Sequence, residues 1–324
     1  MAAPRGVTRT AGLAVGLGLA VAAVGLPFWY RTPGASESTP PQAESQTPLP
    51  AGGAFDAARA WEHLRQLVAI GPRPAGSTAL RQARAYLTRQ LASFGFTVEE
   101  QTFTAESPFG PVDMTNLIVT VPGRRKDRIL IAGHYDTKLF PNQTFVGASD
   151  GASSAALLVE LARVLKDRPL DLTCEVIWFD GEEAFVDWQK GLDHTYGSRF
   201  YVQAARNANA LASLTAMILV DMIGDKDLQI RRDRNSTAWL IDVIWAAAKR
   251  LGHAQHFVDF DTEIEDDHQP FIDAGIPAVD LIDLDYPQWH TPADDLAHVS
   301  PQSLQIVGDV LLAALPDIEK RLAR

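Results

Sequence analysis

The chain has 324 residues, 46% of them hydrophobic, which is enough for one large buried core once its ends are set aside. Acidic residues number 40 against 29 basic; Arg5, Arg9 and Arg31 lie in an N-terminal segment without acids, so residues 32–324 carry 26 basic groups against 40 acidic, a net −14. That sign excludes nucleic acid and an anionic membrane as partners of the folded part and leaves a small molecule or a peptide. Cys174 is the sole cysteine, so an intrachain disulfide and a cysteine zinc site are excluded, and any metal must be held by His, Asp and Glu.

Arg5 and Arg9 precede a nearly uncharged stretch, Ala11 to Tyr30, whose 20 residues are long for a signal-peptide core and just long enough to span a bilayer. Ala20-Val21-Ala22 is the nearest cleavage pattern and Trp29-Tyr30 suits an interface, so residues 1–31 read as an N-terminal membrane anchor or a signal peptide. Either way the basic residues ahead of the run place the body outside the cytoplasm, periplasmic or secreted. Residues 32–53 form a Pro/Ser-rich disordered tether without apolar periodicity. The expectation is one catalytic domain over 54–324, acting as a monomer.

Within it, apolar residues recur at helical spacing through Trp61, Leu64, Leu67 and Val68, then over Leu80–Leu91 after the breaker Gly71-Pro72-Arg73-Pro74. Strand-like runs follow at about 97–104, 115–121 and 128–132, a helix at about 152–166, and an apolar strand at 174–179 that contains Cys174. Further runs at 216–220 and 276–282 are separated by a helical stretch near 237–250, and a last helix spans about 301–321. Strands alternating with helices predict an α/β fold, a mixed, mostly parallel central sheet flanked by helices on both faces.

Acids gather where these strands end. Val176-Ile177-Trp178-Phe179 runs through Asp180-Gly181 into Glu182-Glu183, and a parallel sheet keeps its sites at that edge. A carboxylate forced into such a crevice needs a cation or a shifted pKa. Ile129–Gly133 leads into His134-Tyr135-Asp136, an imidazole beside a carboxylate, as at a metal with its orienting group or as a plain structural hydrogen bond. Asp150 opens a helix, where an Asp is more often an N-cap but can serve as a ligand if its side chain turns toward the sheet edge. Asp221 closes Met217–Val220 as Glu182 follows its own strand, and the joint pattern suggests a cation cradle. Glu265-Asp266-Asp267-His268 and Tyr286–Pro292 complete it, with Asp267 and His298 read as surface-loop residues and Trp178, Trp239 and Trp245 as core.

Taken in order, Gly133-His134-Tyr135-Asp136, Asp150, Gly181-Glu182-Glu183, Asp221 and His290-Thr291 resemble the zinc aminopeptidase superfamily of the M28 type. Within it, His134-Tyr135-Asp136-Thr137-Lys138, Asp180–Phe185 with Trp188, Tyr196-Gly197-Ser198-Arg199, Glu265-Asp266-Asp267-His268 and Trp289-His290-Thr291 are similar to the animal-type glutaminyl cyclases, over about residues 71 to 300. The resemblance implies one Zn²⁺ held by Asp150, Glu183 and His290, and peptide or protein substrates with N-terminal Gln, cyclised to pyroglutamate with loss of ammonia. It further implies Glu182 as proton shuttle, Asp221 and Asp266 as an acidic pair beside the substrate amine, and Trp188, Trp289 and Phe185 as pocket walls, with Lys138 and His268 in supporting positions. The paired cysteines of some animal members are absent. The rival expectation is a zinc aminopeptidase with two metals on His134, Asp150, Glu183, Asp221 and His290, Glu182 then activating water.

Overall fold

A computed structural model of the chain describes residues 53–188 and 193–323. The expected N-terminal segment, and all of the tether but Gly53, lie outside the described residues. Asp56 starts the first helix, α1 (Ala57–Ile70), its side chain accepting the main-chain N–H groups of Ala58 and Arg59, and α2 (Thr78–Ser93) follows the Gly-Pro-Arg-Pro breaker. Then come β1 (Glu99–Ser107), β2 (Gly110–Val121), β3 (Arg125–His134), α3 (Ala152–Lys166), β4 (Leu172–Phe179), α4 (Tyr196–Asn207) and β5 (Leu214–Asp221). The chain closes with β6 (Ile230–Asp233), α5 (Ala238–Arg250), β7 (Phe257–Thr262), α6 (Gln269–Asp273), β8 (Ala278–Ile282) and α7 (Pro301–Leu322). No helix among the described residues is long and apolar enough to cross a membrane.

A six-stranded sheet has the order β1-β2-β4-β3-β5-β8. β1 and β2 form an antiparallel ribbon, β2 pairs antiparallel with β4, and β4, β3, β5 and β8 run parallel, so the expected mixed, mostly parallel sheet is present. β4, β5 and the second half of β3 read as apolar runs because both their faces are covered, while β1 is mostly exposed. Ile129, Ile131, Cys174, Val176 and Trp178 face the larger core with α1, α2, α3, α5 and α7, while their neighbours Leu130, Ala132, Ile177 and Phe179 face a second core with α4 and α6. Trp178, Trp239 and Trp245 pack in or against the larger core, and Trp178 Nε1 satisfies itself on the carbonyl of Ala155 at 2.9 Å, tying β4 to α3.

Helix α3 is buried at every position except Arg163 and Lys166, as a helix lying flat on a sheet beneath other helices should be. The chain leaves β3 through α3 to reach β4 on one side, then returns through α4 on the opposite face to reach β5 on the other side of β3. The carboxyl end of β3 is therefore a topological switch point, where crossovers part and leave a crevice. A two-stranded parallel sheet of β6 and β7, absent from the sequence expectations, forms beside it, as do α4 and α6.

Candidate active site

The acids anticipated at strand ends meet in this crevice. Gly181 turns the chain after β4 at φ 69°, and a Cβ there would come within 2.5 Å of Met114 Sδ, so only glycine fits. The turn aims two consecutive main-chain N–H groups at one carboxylate: Asp136 accepts from Glu182 at 3.2 Å and from Glu183 at 3.3 Å. Both glutamate backbones are thus fixed independently of what their side chains do.

Asp150 is not the helix cap. Gly151 occupies that position at φ 85°, without a side-chain bond, and any Cβ there would lie 2.4 Å from the Asp136 carbonyl. Freed from capping, the Asp150 carboxylate turns to the sheet edge, Oδ1 lying 3.3 Å from His134 Nε2 and Oδ2 3.3 Å from His290 Nε2. Asp294 steadies this loop by accepting the N–H groups of Ser149 at 2.7 Å and Asp150 at 3.1 Å, while receiving the Tyr286 hydroxyl at 2.9 Å. Nothing in the sequence expectations singled out Asp294; its place in His290-Thr291-Pro292-Ala293-Asp294, next to a ligand candidate, was the available signal.

His290 Nε2 also stands 3.2 Å from Glu183 Oε1, and the donor atoms of Asp150, Glu183 and His290 all lie within 4.8 Å of one another. A second group, His134, Asp150 and Asp221, meets the same limit, with His134 Nε2 3.1 Å from Asp221 Oδ1. Two features fit the first group to a metal. Asp150 Oδ2 is buried and makes no hydrogen bond among the described residues despite the neighbouring imidazole, and one histidine with two carboxylates supplies three nitrogen and oxygen donors, the number a catalytic zinc takes with a fourth position left open. Burial opposes ionisation of Asp150, yet His134 and His290 hold its carboxyl below the usual range; burial and Asp150's charge push Glu183 up. Against the cost of burial, Asp150 and Glu183 raise the His290 imidazole to about 9. His290 itself sits at φ 55°, a strained conformation for a non-glycine residue, held by Phe140 and Phe145 edge-on to its ring at 5.6 and 5.7 Å.

Glu182 belongs to neither group. Its Oε2 is 3.6 Å from His134 Nδ1, and burial drives its carboxyl well above the ordinary range while the charge of His134 pulls it back. Asp221 and Asp266 line the same cavity, of about 770 Å³, as Asp150, Glu182, Glu183 and His290. No hydrogen bond joins the two aspartates among the described residues, but burial first and Asp221 next raise the Asp266 carboxyl well above its usual value. Trp188 and Trp289 are in the wall, Trp188 stacked on His194 at 4.1 Å and Trp289, 44% exposed, stacked on His290 at 4.3 Å.

Phe185 departs from its expected place: it is not a cavity wall but packs beside Phe103, Met114 and Tyr196, because the Gly181 turn sends the chain over the β1–β2 ribbon. Asp267 is also corrected. It is fully buried and takes the Ser198 hydroxyl, since residues 263–266 alternate exposed and buried and then lead into α6. His298 does lie near the surface, bonded to Asp295. Lys138 reaches the cavity, 3.7 Å from Glu183 Oε2, and donates to the Ala184 carbonyl at 2.6 Å.

So many buried acids make stability pH-dependent. Burial raises Asp180 to about 8 and both Asp267 and Asp283 to about 7. Each keeps its proton in the fold up to that pH but loses it near 4 when unfolded, so the folded state weakens as pH rises. The Tm of metal-free protein is expected to fall by several degrees between about pH 6.5 and 8, a range in which His290, held up to about 9 in the fold, weakens the folded state in the same direction, with a shallower fall in Asp267→Asn. A flat or rising Tm by calorimetry contradicts this.

Residues 116–315 match the sequence profile of peptidase family M28. A mouse (Mus musculus) glutaminyl-peptide cyclotransferase-like protein is 32% identical over 82% of this chain and 76% of its own length. The crystal structure of a glutaminyl cyclase from an Acidobacteriales bacterium superposes with a TM-score of 0.80 at 36% identity, covering 86% of this chain and all of that one. A leucine aminopeptidase precursor from Bacteroides thetaiotaomicron superposes with a TM-score of 0.74 at 26% identity, covering 82% and 98%.

Proposed function

The chain belongs to the glutaminyl-peptide cyclotransferases within peptidase family M28, and from that premise we propose that its cavity converts N-terminal glutaminyl residues of peptides or proteins to pyroglutamate with release of ammonia. The observation that carries the chemistry is the division of labour in one turn: Glu183 converges with Asp150 and His290, while Glu182, its backbone held by the same Asp136, faces the cavity outside that group. Asp150, Glu183 and His290 would hold one zinc per chain, which when bound would supply Lewis-acid polarisation of the side-chain amide.

The protein's own groups do the rest. The substrate's free α-amine attacks its side-chain amide carbon, forming the new C–N bond as the bond to the amide nitrogen breaks. Glu182 takes the proton shed by the attacking amine and returns it to the departing nitrogen, which leaves as ammonia. Asp266, whose carboxyl burial and then Asp221 raise well above its usual value, orients the amine and Glu182. Trp289 and Trp188 flank the aliphatic part of the glutamine side chain and keep water from the reacting carbon.

Incubation of the purified protein with a Gln-initiated peptide and, separately, with Leu-p-nitroanilide tests this. A peptide lighter by the mass of ammonia supports cyclisation; release of p-nitroaniline overturns it. The second group, His134, Asp150 and Asp221, favours a second reading as a two-metal aminopeptidase, and two zincs per chain together with p-nitroaniline release would establish that instead.

The cavity rim is acidic. Glu263 and Glu265 point to solvent from one side of an extended segment and make no ion pair among the described residues, and Asp273 stands beside them. A Gln-Lys peptide is expected to show a KM about 5-fold below that of a Gln-Glu peptide at low salt, the gap closing as ionic strength rises. Equal values at low salt would refute it.

The charge and apolar pattern of residues 1–31 supports action outside the cytoplasm by one catalytic domain beginning near Ala54. A reporter enzyme that works only outside the cytoplasm, fused after Gly53, should be active; inactivity would count against this placement. A monomer by light scattering is the expected state.

A further inference from the structure

Asp233 and His268 play no part in the mechanism above, yet both are buried behind the cavity wall that Asn235, Ile264 and Asp266 form. Asp233 closes β6, and its two oxygens grip that wall at both ends. Oδ1 accepts the N–H of Ile264 at 3.0 Å and of Asn235 at 3.2 Å; Oδ2 accepts the Ser236 hydroxyl at 2.7 Å and lies 3.2 Å from His268 Nε2 in an ion-pair contact without hydrogen-bond geometry, the imidazole making no hydrogen bond among the described residues. Ile264 and His268 stand two residues to either side of Asp266. The side chain of Asp266, by contrast, accepts one hydrogen bond among the described residues, from the N–H of Asp267. Where Asp266 points is therefore set by the backbone of 264–268, and Asp233 holds that backbone. The opposite edge of the His268 ring faces Asp280 on β8, 3.9 Å away, so the imidazole wedges between β6 and β8.

A buried ionisable pair adds little net stability over apolar residues of equal volume, because the desolvation cost offsets the attraction; what it can add is a single defined geometry. His268 also holds the Asp233 carboxyl below its usual range against the effect of burial, consistent with an ionised acceptor.

We propose that the Asp233–His268 pair is the mount for Asp266, making His268 a positioning residue of the cyclisation that acts through Asp266. This rests on the role given to Asp266 under the proposed function, and Asp266→Asn tests that role separately: unchanged kcat in that variant would remove the role itself.

With zinc-loaded enzyme and a Gln-initiated peptide, His268→Leu is expected to lower kcat about 10–100-fold, the scale of a misplacement near 1 Å, at unchanged zinc content. His268→Gln, which keeps a donor toward Asp233, should recover most of that loss. The double variant Asp266→Asn/His268→Leu should be no slower than Asp266→Asn alone, since the mount has nothing left to position. Multiplied losses in the double variant, or a lowered Tm in His268→Leu with kcat at the wild-type value, would overturn the proposal. If His268→Leu does not fold, Asp233→Asn in the same cycle with Asp266→Asn reads the pair from its other member by the same two outcomes.

Discussion

Glu182→Gln is expected to keep its zinc and lose its turnover, kcat falling by about 10²–10⁴-fold, the usual worth of a well-placed acid–base group. The substitution is nearly isosteric, and the main-chain N–H of residue 182 stays on Asp136 whatever its side chain carries, so the turn and Glu183 behind it remain in place. What disappears is the capacity to take a proton and give it back. That capacity is tuned where the side chain sits: burial lifts the Glu182 carboxyl well above the ordinary range, and His134, 3.6 Å from Oε2, restrains the lift, an environment suited to a group that must both accept and release a proton. Ammonia release measured beside metal content decides it. A variant with wild-type kcat, or one that loses zinc together with activity, would contradict the assignment.

How much of this was legible beforehand follows from burial. β4, β5 and the second half of β3 are covered on both faces, so they appear as apolar runs read within about two residues of their true ends, whereas the charged, partly exposed Arg125–Asp127 start of β3 was not read. The acids at their ends stood out because charge directly after such a run has few innocent explanations. The second sheet could not be read. β6 has only four residues, with Arg231 and Arg232 at its centre, and β7 buries only Phe257 fully, so neither shows a period. Five residues give α6 no helical repeat, and Gly197 and Ser198 disguise the first turn of α4.

The site was legible in its carboxylates and imidazoles but not in its supports. Asp150 looks like a cap because an Asp ahead of a helix normally is one; only the left-handed Gly151 frees it, and positive φ leaves no mark on sequence beyond the glycine itself. Asp267 looks like surface because it follows Glu263 and Glu265, which are, while the Ser198 hydroxyl that shelters it comes from a helix 69 positions away in sequence. Phe185 shows the converse, an aromatic residue beside catalytic candidates that a single turn directs into a structural cluster.

Glu183→Gln should separate metal from fold in opposite directions. Glu183 and Asp150 are two buried carboxylates on one imidazole, and each disfavours charge on the other: Asp150, after burial itself, is what raises Glu183. His290, 3.2 Å from Glu183 Oε1, and after it Lys138, 3.7 Å from Oε2, lower it only in part. A divalent cation relieves that repulsion, so the ligand set holds metal tightly and is strained without it. Replacing Glu183 by Gln removes one of the two charges and one anionic donor. Zinc affinity should drop by more than the roughly 10–100-fold that follows loss of a mere supporting contact, and cyclisation should vanish at stoichiometric zinc. The metal-free variant should nonetheless melt higher than metal-free wild type, because a buried like-charge pair has gone. Metal titration and calorimetry on chelated protein read the two effects separately. If Glu182→Gln and Glu183→Gln bound zinc equally, or if the metal-free Glu183→Gln protein melted lower, the roles drawn for these adjacent glutamates would have to be abandoned.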